Sequence, residues 1–218
     1  MFKKKNLVEE KLEIYSKDAS SEIVEAYNSL VTNIIHFPIE KDCKVIAVTS
    51  ATYGEGKSSI AINLALALAI NLLDKRILLV DSDLRNSKIG EFINASSKEI
   101  GNGISDYLSG KDAEPVISKS DVSNLDVLYA GGAVDNPAGL IRSDKMGELL
   151  SSFEGKYDYV IIDTPPVNSF SDALLLSDRI SGFVIATKKN NSSVAAIDTA
   201  TDRIRSSGTE IFGFVFSK

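Results

Sequence analysis

Residues 50–59, Ser-Ala-Thr-Tyr-Gly-Glu-Gly-Lys-Ser-Ser, have the types and spacing that hold the phosphates of ATP or GTP. Backbone N–H groups around Gly54 and Gly56 can wrap phosphate oxygens only where side chains are absent. A helix opening near Lys57 adds its positive dipole end to the same place. In this pattern Lys57 reaches the β- and γ-phosphates and the Ser58 hydroxyl ligates Mg²⁺, while Tyr53, Glu55 and Ser59 complete the loop around the nucleotide. The strict pattern wants glycine at position 51, where the chain has the nearly as small Ala51. The apolar run Val45-Ile46-Ala47-Val48 precedes the loop and a long apolar segment follows it, which is the required strand–loop–helix order. An ordinary glycine-rich βα turn is the competing reading.

Carboxylates complete the set. Asp81 and Asp83 follow the apolar run Ile77–Val80 at alternate positions, with Arg85 two residues on. Acids at the end of a buried strand are costly unless they meet a cation, and the Mg²⁺ of a nucleotide is one. The plainer alternative is an acidic turn capping the next helix. A further run, Tyr159–Ile162, ends in Asp163-Thr164-Pro165-Pro166, where an Asp can hold Mg²⁺ through a water. Asp172, in Ser-Asp-Ala, reads as the cap of a helix over 171–179.

Elements spaced along the chain must bring these residues together. Apolar runs at 44–49, 76–80, 125–129, 157–162, 182–187 and 211–216 read as buried strands. Helical segments fall near 20–35, 57–73, 103–109, 138–153, 171–179 and 192–206. Alternation of this kind predicts an α/β fold, a doubly wound and mostly parallel sheet flanked by helices, with ligands at the carboxyl ends of the strands. The polar stretch 86–124 reads as mobile surface beside the site. Length and composition suit one soluble domain over 1–218 with a loose segment at 1–19: 218 residues, 44% apolar and 25% charged. A net charge of −6 counts against a nucleic-acid surface. The single cysteine, Cys43, excludes an internal disulfide, suits the cytosol and reads as a buried strand residue. The apolar stretch Ile60–Leu73, broken by Asn63 and Asn71, is short of the ~20 residues that span a bilayer.

Taken together, Gly54-Glu55-Gly56-Lys57-Ser58, Leu79-Val80-Asp81-Ser82-Asp83-Leu84-Arg85 and Ile161-Ile162-Asp163-Thr164-Pro165-Pro166 resemble the bacterial tyrosine kinase (BY-kinase) family of capsular and exopolysaccharide synthesis. The segments 21–27, 103–108 and 136–141 resemble it too, so the likeness covers roughly residues 18–216. It implies a P-loop NTPase fold and transfer of the ATP γ-phosphoryl group to protein tyrosine. Lys57, Asp81, Asp83 and Arg85 are then the catalytic set, and Ser58, Asp81 and Asp163 the Mg²⁺ ligands. It also implies a cytoplasmic protein, recruited to the inner face of the membrane by a transmembrane adaptor of the chain-length-regulator type, with other protein tyrosines as substrates and no nucleic acid.

Three departures qualify the likeness. The family's self-association motif, Glu-x-x-Arg-x-x-Arg, reads Glu25-Ala26-Tyr27-Asn28-Ser29-Leu30-Val31 here, which weakens a homo-oligomer because Asn and Val cannot pair bidentately with carboxylates. No tyrosine follows Tyr159, so the family's tyrosine-rich tail is absent, through truncation or loss. Tyr53 stands where the family usually has Pro. Of the remaining tyrosines, Tyr15 in the loose N-terminal segment is the least implausible phosphoacceptor. Competing functions are a nucleotide-binding regulator without kinase activity, and an ATPase switch like the plasmid-partition and septum-site ATPases. The switch proteins usually carry a second Lys early in the loop, and residues 51–55 have none.

Overall fold

The computed structural model of the chain describes residues 15, 20–39, 41–93, 95–96, 100–189 and 191–217. Seven strands form one sheet in the order β3-β4-β2-β5-β1-β6-β7. They are β1 Lys44–Ser50, β2 Ile77–Asp81, β3 Ile117–Lys119, β4 Leu125–Leu128, β5 Tyr159–Asp163, β6 Gly182–Lys188 and β7 Ile211–Ser217. All neighbours pair in parallel except β3 and β4. β2, β4 and β5 are buried along their whole length, which is why they read as unbroken apolar runs. β7, at the sheet edge, alternates instead and leaves Phe214 and Phe216 exposed.

Helices cover both faces. α1 (Ser21–His36) and α2 (Lys57–Asn71) pack on one, where Tyr27, Leu30 and Ile34 meet Leu64, Leu68, Ile46 and Ile161. α2 is buried on every side, and its alanines at 61, 65, 67 and 69 allow the close approach. Its end is fixed by the Asn124 side-chain amide, which donates to the carbonyls of Ala69 and Leu72 at 3.0 and 3.1 Å. The short α3 (Ile89–Phe92) follows β2. The opposite face carries α4 (Ile104–Leu108), α5 (Pro137–Arg142), α6 (Asp144–Ser151) and α7 (Val194–Ser206). No helix among the described residues is long and apolar enough to cross a membrane.

Several expectations are corrected. Within the stretch 86–124, the helix expected over 103–109 forms as α4, and α3 and the antiparallel β3 add structure that was not expected. The helix expected over 138–153 is two helices, broken at Ser143, whose extended backbone and side chain cap α6 by accepting from Met146 N–H. Over 171–179 only a 3₁₀ turn forms, at Leu174–Leu176. Most of the segment 1–19 lies outside the described residues, but Tyr15 is not loose. It is 5% exposed, donates its N–H to Asn63 Oδ1 at 2.9 Å and its hydroxyl to Asn28 Oδ1 at 2.8 Å, and accepts from Asn71 Nδ2 at 3.0 Å. That burial removes it as an exposed phosphoacceptor.

Candidate functional site

Three adjacent strands end together. In the parallel register Val48 of β1 and Asp81 of β2 both pair with Asp163 of β5, so the two carboxylates and the start of the glycine loop share one edge of the sheet. The loop turns back through Gly54 and Gly56, each at φ +77°, a conformation that penalises any side chain. Gly56 precedes the first turn of α2, and no side chain caps that turn. The N–H groups that open α2, those of Lys57, Ser58 and Ser59 included, are therefore left for an anion. Ala51 is completely buried among apolar neighbours.

Glu55 differs from expectation. Its side chain does not line the nucleotide position: it is completely buried and accepts from the Thr52 N–H and hydroxyl, each at 3.0 Å, and from the Ser192 hydroxyl. It ties the loop to the segment after β6, and Asn191 adds a bond from its amide to the Tyr53 carbonyl at 3.1 Å. Only the backbone of Glu55 can serve the phosphates.

The three acids stand at or just past the ends of β2 and β5, with Lys57 as the cation that offsets part of their charge. Asp81 Oδ2 accepts from the Ser87 hydroxyl at 2.7 Å and Ile89 N–H at 3.2 Å, while Oδ1 has no hydrogen-bond partner. Neither side-chain oxygen of Asp163 meets a donor in good hydrogen-bond geometry, the Ser58 hydroxyl nearby only easing its shift, while its backbone carbonyl accepts from Ser82 N–H at 2.9 Å. Both residues are completely buried. Burial pushes Asp163 well above the carboxylate range and the Asp81 carboxylate pushes it further, against Lys57. Burial also raises Asp81, against its bonds from Ser87 and Ile89. Asp83, 1% exposed, accepts from Asn86 N–H at 3.0 Å and is raised by burial while Lys57 opposes the shift. Buried carboxylate oxygens without donors are a fit for a hard cation. Among the described residues no three acids, histidines or cysteines close into a cage of their own.

Arg85 is committed elsewhere. Its Nε and Nη2 donate to Asp172 at 2.6 and 3.0 Å, and its guanidinium lies 4.2 Å from the centre of the Phe170 ring. Asp172, 2% exposed, is thus the partner of Arg85 rather than a helix cap. Phe170 meets the Tyr53 ring edge-on at 6.0 Å, and the Lys57 ammonium lies 5.8 Å from that ring's centre. Phe170, Asp172 and Ser192 carry no sequence signal tying them to the site, because their partners Tyr53, Arg85 and Glu55 are distant in the chain, whereas Ser87 lies six residues from the Asp81 it donates to.

On α1, the motif position Glu25 is exposed, while the two positions that lack arginine are engaged within the chain. Asn28 accepts from Tyr15 and from Asn71 Nδ2, and Val31 is 3% exposed.

Comparison with known proteins agrees with this fold. The AAA-domain family profile matches residues 43–208. The tyrosine-protein kinase CpsD of Streptococcus agalactiae is 31% identical over 195 residues, covering 89% of this chain and 82% of that one. The chimerical protein CapA2B2 superposes with a TM-score of 0.85 at 29% identity, over 95% of this chain and 90% of that one. The kinase domain of the Escherichia coli tyrosine kinase ETK gives 0.80 at 26% identity, over 96% of this chain and 84% of that one.

Proposed function

The chain belongs to the bacterial tyrosine-protein kinases built on a P-loop AAA domain, and from this we propose how its residues divide the work of phosphorylating protein tyrosine. The kinase binds nucleotide in its glycine loop. Loop N–H groups and the opening turn of α2 hold the phosphates, and Lys57 neutralises charge that builds on the transferring group. Ser58, Asp81 and Asp163 are the residues that would hold Mg²⁺, which when bound offsets negative charge on the β- and γ-phosphates. Asp83 takes the phenolic proton, its raised affinity for protons helping it act as base. Arg85 is a positioning residue, acting through Asp172 and Phe170.

The observation that carries this reading is the pair of buried, register-matched carboxylates with unpaired oxygens beside a P-loop lysine. The setting is capsular or exopolysaccharide synthesis, and a transmembrane adaptor recruits the kinase to the inner face of the membrane, as the family likeness implies. Self-association through α1 is weak, because Asn28 and Val31 are spent within the chain. The lost arginines favour a regulator that only binds nucleotide as the second reading. Both are tested by phosphotyrosine formation on a tyrosine-rich peptide with Mg·ATP and an adaptor's cytoplasmic segment. Wild type should phosphorylate the peptide, and Lys57→Met should not. Nucleotide binding with no phosphotyrosine in wild type would favour the regulator, and turnover surviving in Lys57→Met would overturn the site.

A further inference from the structure

We infer that the ring of the acceptor tyrosine docks in the corner between Tyr53 and Phe170, an inference that rests on the kinase function. Tyr53 belongs to the same loop as Lys57, whose ammonium lies 5.8 Å from its ring, so the corner stands at the phosphate end of the nucleotide rather than the base end. Tyr53 is 46% exposed beside acids that are wholly buried. The two rings are 6.0 Å apart at 79°, and aromatic rings attract one another edge-to-face at such separations. A third ring can join them.

The corner is rigid before any substrate arrives. The Arg85 guanidinium covers Phe170 at 4.2 Å and is itself locked by two bonds to the buried Asp172. The Tyr53 carbonyl is held by Asn191. Three separate loops therefore fix one aromatic wall, and preorganisation of this kind lowers the cost of binding. The negative field of Asp83 also reaches the Tyr53 hydroxyl, which burial and that field push upward.

The chemistry agrees with the placement. The phenolic oxygen forms a bond to the γ-phosphorus, the bond from that phosphorus to ADP breaks, and the phenolic proton passes to Asp83. With the wall setting depth, a serine hydroxyl stops short by the length of a ring. The corner therefore selects tyrosine.

The test uses Phe170→Ala, Phe170→Leu and Phe170→Tyr with Mg·ATP and a tyrosine-rich peptide, reading peptide KM, ATP KM and kcat. A fluorescent copy of the peptide reports binding to the Mg·ADP-loaded protein independently of turnover. Loss of the ring in Ala and Leu should raise peptide KM and weaken peptide binding by about tenfold, with ATP KM unchanged and recovery in Phe170→Tyr. Unchanged peptide KM and binding would overturn the inference, as would an effect confined to ATP KM, which would give the corner to the nucleotide. Equal loss in Phe170→Tyr would show a merely structural role and overturn it too. If wild type binds the peptide through Phe170 yet forms no phosphotyrosine, the docking corner stands and the kinase assignment falls.

Discussion

Asp81 should destabilise the nucleotide-free protein, and Asp81→Asn should stabilise it while abolishing phosphoryl transfer. The carboxyl is completely buried and is pushed from 3.8 to about 6, chiefly by burial. A folded-state value raised in this way means that the native carboxyl holds its proton more tightly than the unfolded one. Its stabilising contribution is therefore complete below pH 3.8 and is lost as pH rises through about 6. At about 1.4 kcal/mol for each tenfold change in proton affinity, keeping Asp81 ionised well above pH 6 costs about 3 kcal/mol. Asparagine keeps an oxygen for Ser87 and Ile89 and removes the charge beside Asp163. Urea unfolding in EDTA from pH 5 to 8 measures this. Wild type should lose about half of that 3 kcal/mol relative to Asp81→Asn across this range, the other half being lost already between pH 3.8 and 5, and Mg·ADP should restore most of the deficit at pH 8 to wild type alone. Parallel curves for the two proteins, or a variant less stable at pH 8, would refute the argument that this site holds uncompensated charge.

Two further outcomes follow from single contacts. Asp172→Asn removes the charge that holds Arg85, so unfolding free energy should fall by about 2 kcal/mol and peptide KM should rise while nucleotide affinity is kept, read by denaturation and steady-state kinetics. Tyr15→Phe deletes a hydroxyl bonded to both Asn28 and Asn71 and should cost about 1 kcal/mol in urea unfolding, with wild-type kinase activity at 25 °C.

The catalytic half of the molecule was legible because burial on both faces makes parallel strands continuous apolar runs. The runs of β1, β2 and β5 then end in the glycine loop, Asp81 and Asp163. Asp81, Asp83 and Asp163 lie where those runs said, and so does the turn at Gly54 and Gly56. What local pattern cannot carry is pairing across the chain. Arg85 and Asp172 are 87 residues apart, and each has a plausible local role that the fold overrides. β3 is only three residues long and lies at the sheet edge, so it has no run to detect. Ser143 splits a helix because its side chain serves α6 better as a cap than as an interior residue. Tyr15 lies in polar sequence, yet its ring meets Tyr27 edge-on and its polar atoms find three asparagines.

The inward turn of Asn28 and Val31 bears on how this kinase meets its substrate. Long cations on α1 could reach a neighbouring copy's carboxylates and bring an acceptor close by assembly alone. Asn28 is instead bonded to Tyr15 and Asn71, and Val31 packs into the core between α1 and the sheet. An arginine at 28 would break both bonds. Under the weak self-association proposed above, an acceptor's residence comes from contacts at the site. That places more of the binding on the Tyr53–Phe170 corner, so its removal should weaken phosphorylation most at low peptide concentration and least when the peptide is saturating.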